Sequence, residues 1–222
     1  MSALLGYHTA LLMRSQRWLP PMLLYAAVMG IGVQWGQPVL DGLGYAAAGL
    51  LPVTAWVVRI CLNIEPLAAR QCTAAAAGPA RVHLAGVLAA LLLTCALGAV
   101  GAVYVVAVSD PRSSAGHVAV PLLPAVEAGL LAAFTCAFFG AAIGALCNRP
   151  LLSNSGVAVP SSLLAVLLVL VVGGSPANAA VAGLVSASHE GAVTLPWLPA
   201  VASVAVAALA TWLACSQAGR RG

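Results

Sequence analysis

Six stretches of this chain, at about 19–35, 43–62, 84–108, 121–147, 156–174 and 196–215, are runs of apolar residues almost free of charge. A helix needs about 20 such residues to cross a hydrocarbon core of about 30 Å. The runs therefore predict an all-α integral membrane protein with six transmembrane helices, organised as one transmembrane domain over 1–222. Composition agrees, since 62% of the 222 residues are hydrophobic and 6% are charged, against about 25% charged in a soluble domain. A soluble globular protein, a disordered chain and a disulfide-rich secreted scaffold are excluded on the same grounds. The net charge of +4 does not signal nucleic acid, because no more than two arginines adjoin and the rest are scattered between apolar runs.

The first run is the shortest, but Trp18 and Trp35 bracket it with rings that favour the membrane interfaces. Pro20 and Pro21 fall in its first turn, where a missing N–H costs nothing. A polar, Arg-containing segment precedes it and no A-x-A exit follows, so the run is expected to stay in the protein rather than be cleaved as a signal peptide. With a cytoplasmic N-terminus, Arg14, Arg17, Arg59, Arg70, Arg81, Arg149, Arg220 and Arg221 fall inside and Arg112 alone falls outside. That bias predicts both termini in the cytoplasm.

Three segments outside the runs look structured. Leu4, Leu11 and Trp18 repeat every seven residues, as do Leu5 and Leu12, forming an apolar stripe interrupted by His8 and Ser15. An interfacial helix over 1–18 that turns into the first span is expected, with a frayed extension as the alternative. In the second segment, Glu65-Pro66 opens and Gly78-Pro79 closes an Ala-rich stretch containing Arg70 and Gln71. These signals predict a short cytoplasmic helix between spans two and three, either a structural elbow or a docking surface for a soluble partner. The third lies between spans five and six. Ser175-Pro176 reads as a helix start, and Val181, Leu184 and Val185 follow helical spacing up to His189, Glu190 and Gly191. This outer helical element is too short and broken to span by itself.

Little in the sequence speaks for chemistry. Arg59 and Glu127 are the ionisable residues that fall inside spans, both within about two turns of a span end where snorkelling is the bland reading. The six cysteines contain no C-x-x-C pair and the four histidines are dispersed, so no metal site is expected. Spans four and six contain no His, which argues against an intramembrane Ser-His protease. No G-x-x-x-x-G-K-[ST] loop exists, and with no Lys anywhere none can. Gly140 and Gly144 form a G-x-x-x-G in span four that permits close helix approach, within one chain or between two.

In order and kind, these features resemble the membrane subunit of type 2 ATP-binding cassette (ABC) exporters. The likeness to small actinobacterial ABC permeases rests on Arg14-Ser15-Gln16-Arg17-Trp18-Leu19-Pro20-Pro21, on Glu65-Pro66 through Ala77-Gly78-Pro79-Ala80-Arg81-Val82-His83-Leu84, and on Gly144-Ala145-Leu146-Cys147-Asn148-Arg149-Pro150. The resemblance implies a plasma-membrane permease paired with a second copy or a homologous permease, each docked to a separate ATPase subunit that holds ATP and Mg. It further implies that Glu65, Pro66, Arg70 and Gln71 belong to a coupling helix and that Arg14 and Arg17 lie on a connecting helix beside it. Under this reading the chain is no enzyme by itself, holds no cofactor, contacts membrane lipid, and exports an amphiphilic, peptide-like or lipid-like substrate. The alternative is a membrane scaffold, or a small enzyme acting on lipid-linked substrates, a reading that would gain if Glu127, Arg59 and His189 converged on one polar cavity.

Overall fold

The computed structural model describes residues 1–114, 118–148 and 154–220. Among them the chain forms helices α1 (Ser2–Ser15), α2 (Leu19–Gly32), α3 (Val39–Asn63), α4 (Leu67–Ala77), α5 (Pro79–Val108), α6 (Leu122–Leu146), α7 (Ser155–Val171), α8 (Pro176–Glu190) and α9 (Trp197–Arg220). Among the described residues there is no strand, only isolated bridges. His117, Arg149, Pro150 and Arg221 lie outside the described residues.

Four helices, α3, α5, α6 and α9, are long and apolar enough to cross a membrane, and a fifth crossing results if α7 and α8 are taken as one bent span. The other two runs differ from the sequence expectation. The run at 19–35 yields only the 14 residues of α2 as helix, about 21 Å at a helical rise of about 1.5 Å per residue. The run at 156–174 ends at Val171, and α8 follows after a bend of 44°. The break is hydrogen-bonded. Asn178 Nδ2 donates to the Leu170 carbonyl at 2.5 Å, and the Ser175 hydroxyl donates to the Val169 carbonyl. Ser175 Oγ also accepts the amide of Asn178 at 3.0 Å, capping α8. Freed carbonyls of α7 are thereby satisfied, the condition for a helix break in apolar surroundings.

The core is built on α3 and α6. Leu43, Leu51 and Val58 of α3 are fully or almost fully buried against a side of α6 whose buried residues are mostly Ala and Gly, while Leu50 packs on Gly98 of α5. Small residues on one helix let the other approach to backbone contact. A Cβ on Gly140 would lie 2.5 Å from the Leu51 carbonyl oxygen, and one on Gly144 would lie 2.7 Å from Val58 Cβ. The G-x-x-x-G thus packs within the chain, against α3.

The two ends of the bundle differ. At one end the loops are laced together: Gly36 N donates to Val108 O at 3.1 Å, Asp110 N to Gln37 O at 2.9 Å, and Ser114 N to Ser188 O at 2.9 Å. The opposite end carries α1 and α4, the start of α5 and the ends of α3, α6 and α9. Cys215 Sγ of α9 contacts the Ala80 carbonyl of α5 there at 3.4 Å.

Candidate functional site

The end that carries α4 brings together most of the residues singled out in the sequence. Pro66 caps α4, with Leu67 its first helical residue, and at the other end Gly78 takes φ +89° and donates its amide to Ala74 O at 2.8 Å. Pro79 then opens α5 with no intervening loop. Because a positive φ is open to glycine at little cost, Gly78 makes a one-residue joint between the short helix and the long one. The helix of α5 accordingly starts before the apolar run at 84, since Arg81 and His83 interrupt hydropathy without interrupting a helix.

Glu65 and Arg70 turn toward the protein. Glu65 Oε1 accepts from the Tyr7 hydroxyl at 3.2 Å and from Thr73 Oγ1 at 3.1 Å, tying α1 to α4. Arg70 Nη1 donates to the Leu62 carbonyl at 3.3 Å, where the last carbonyls of α3 lack helical partners and the helix dipole favours a cation. The outward side of α4 consists of Leu67, which is 67% exposed, with Ala68, Gln71, Cys72, Ala75 and Ala76. Of the four residues proposed for coupling, Pro66 and Gln71 therefore lie on the open surface, while Glu65 and Arg70 fix the helix from beneath.

Helix α1 docks by the stripe read in the sequence. Leu12 and His8 are buried and Leu4, Leu5, Leu11, Ser15 and Trp18 are half-buried, with Arg14 and Arg17 on the exposed side. His8, which interrupts the stripe, is one of its two fully buried members and packs edge-on against Tyr7. Burial lowers the His8 pKa; the Glu65 carboxylate opposes that shift and the Arg70 guanidinium adds to it. For Tyr7, desolvation and then the neighbouring Glu65 charge and hydrogen bond raise the phenol. His83, on the first turns of α5, is 2% exposed, and neither its ring nitrogens nor those of His8 have a partner among the described residues. Tyr7 and Thr73 were missed in the sequence; the one available signal was that Tyr7 flanks the stripe at His8.

The intramembrane candidates lie apart. Arg59 Nη1 donates to Asn148 Oδ1 at 3.3 Å, and Asn148 Nδ2 donates to the Gly144 carbonyl at 2.6 Å, so this pair fastens α3 to the end of α6. Glu127 is exposed on the second turn of α6, at the other end of that helix. His189 Nδ1 lies 3.0 Å from Ser114 Oγ in the laced loops. These three do not share a cavity. Among the described residues no three His, Cys, Asp or Glu side chains are grouped to hold a metal ion.

No family model, no curated protein and no solved structure matches this chain.

Proposed function

We propose that the chain is the transmembrane subunit of an ABC exporter, moving an amphiphilic, peptide-like or lipid-like substrate out of the cytoplasm with energy from a separate ATPase subunit. The observation that carries this reading is α4. It is a short helix held between two long apolar ones, braced from beneath by Glu65 and Arg70, joined to α5 through Gly78, and open along Leu67, Gln71 and Cys72. Through these contacts a push on its outer face would reach α3, by way of Arg70 and the Leu62 carbonyl, and α5, by way of Gly78.

In this proposal six helices cross the membrane: α2, α3, α5, α6, the bent α7–α8 pair and α9, with the α4 end in the cytoplasm. The distribution of arginines supports that orientation, because Arg14, Arg17, Arg59, Arg70 and Arg81 lie toward the α4 end and Arg112 at the other. The separation of Arg59, Glu127 and His189 counts against the lipid-linked enzyme reading. ATP-driven export in proteoliposomes tests the proposal. Leu67→Asp is expected to abolish ATP-dependent transport while insertion and folding persist, and transport at the unmodified rate would reject the role given to α4.

A further inference from the structure

A groove of about 440 Å³ opens between α5 and α9 at the α4 end, floored by α6. Leu84, Leu88 and Leu91 of α5, Phe138 of α6, and Ala208 and Trp212 of α9 line it. Arg81, Thr211 and Cys215 are among its lining residues, in an otherwise apolar wall. From Arg81 to Leu91 the groove follows α5 for about 15 Å at a helical rise of about 1.5 Å per residue. That is half of a hydrocarbon core of about 30 Å, the depth of a single leaflet. Charge sets the other end: Arg81 is exposed, and the α4 end holds Arg14, Arg17, Arg59, Arg70 and Arg81 against Glu65, which is engaged by Tyr7 and Thr73.

We propose that this groove binds one acyl chain of an anionic phospholipid from the adjoining leaflet, with the headgroup phosphate against Arg81. An arginine fork suits a phosphate, and an apolar slot one leaflet deep with a cation at its mouth matches an amphiphile of that charge in length, polarity and orientation. The proposal requires α5 and α9 to cross the membrane. It does not require the chain to be an exporter.

The test places the full chain in nanodiscs of equal phosphatidylglycerol and phosphatidylcholine, extracts it in mild detergent, and counts retained lipid by native mass spectrometry. Phosphatidylglycerol is expected to be retained over phosphatidylcholine by about fivefold, the factor one interfacial arginine supplies. Arg81→Gln should bring that ratio near parity while Arg81→Lys keeps most of it, and Ala208→Phe, which fills the groove, should reduce retention of both lipids. Quenching of Trp212 by phosphatidylglycerol with brominated acyl chains supplies a readout that does not depend on a filled variant folding. With Trp18, Trp35, Trp56 and Trp197 replaced by Phe so that Trp212 alone emits, the quenching should weaken in Arg81→Gln. Equal retention of the two lipids by the unmodified chain, or a ratio unmoved by Arg81→Gln, overturns the proposal. A chain dimer that forms at the expense of bound lipid and is lost in Ala208→Phe also overturns it, because the groove then belongs to a second copy. No ATP enters these measurements, so their failure leaves the exporter reading standing, and the converse holds.

Discussion

The hydroxyl of Tyr7 donates to Glu65 Oε1 at 3.2 Å across a separation of 58 residues. This contact and the one from Thr73 make Glu65 the joint between the N-terminal helix α1 and the short helix α4. Under the proposed function, Glu65 would hold α4 in place rather than meet a partner directly.

Removing that joint should loosen α1 without unfolding the bundle. Tyr7→Phe is expected to cost less than about 1 kcal/mol, because the contact is exposed and screened. Hydrogen exchange over residues 2–15 should accelerate while the α3–α6 core stays protected. Equal protection of α1 in Tyr7→Phe and Glu65→Gln would mean that the apolar stripe alone docks it.

Docking of α1 should weaken in acid. Burial holds the His8 pKa below its ordinary value, with Glu65 opposing and Arg70 assisting. The docked state thus binds fewer protons than the undocked one, and its stability rises with pH in that window. The stability that neutral His8 contributes is fully present above the ordinary His pKa of about 6.5 and is lost progressively as pH falls below it. Exchange protection of α1, corrected for intrinsic rates, should fall between pH about 8 and pH about 5.5, and His8→Leu should flatten the dependence.

Substitution at the joint between α4 and α5 should act through the backbone. Gly78 has open space where a Cβ would go, but φ +89° is strained for any other residue. Gly78→Ala is expected to cost about 1–3 kcal/mol, read as a lower melting temperature, and to alter cross-linking between cysteines placed on α4 and α1.

The α3–α6 contact should tolerate no added bulk. Gly140→Val and Gly144→Val drive side chains into the Leu51 carbonyl and Val58, at an expected cost of about 1–3 kcal/mol each or more. Both should lower the yield of folded protein in detergent. Arg59→Leu, which leaves Asn148 without its partner, should destabilise less, because Asn148 keeps its bond to Gly144.

Hydropathy made the long helices legible, since Val39–Asn63, Pro79–Val108, Leu122–Leu146 and the α9 run each contain most of one apolar stretch. Punctuation made α4 legible, through Pro66 before it and Gly78-Pro79 after it. The bend at 172–175 was harder to read. Gly173, Gly174 and Ser175 announce a break, but whether a new element or the second half of one span follows depends on Asn178 reaching back to Leu170. The inward turn of Glu65 and Arg70 was likewise hidden, because Tyr7 and Leu62 meet them only through tertiary packing. Hydropathy weights Arg59 as a misplaced charge, whereas its partner Asn148 stands 89 residues away.

An ATPase seated on the outward face of α4, as proposed, is tested most directly by purification from native membranes. The tagged chain should bring down a nucleotide-hydrolysing subunit in stoichiometric amount. Leu67→Asp combined with Gln71→Glu should release that subunit while the chain remains folded and membrane-inserted. A chain that purifies without ATPase activity, or an association that survives both substitutions, would contradict the account.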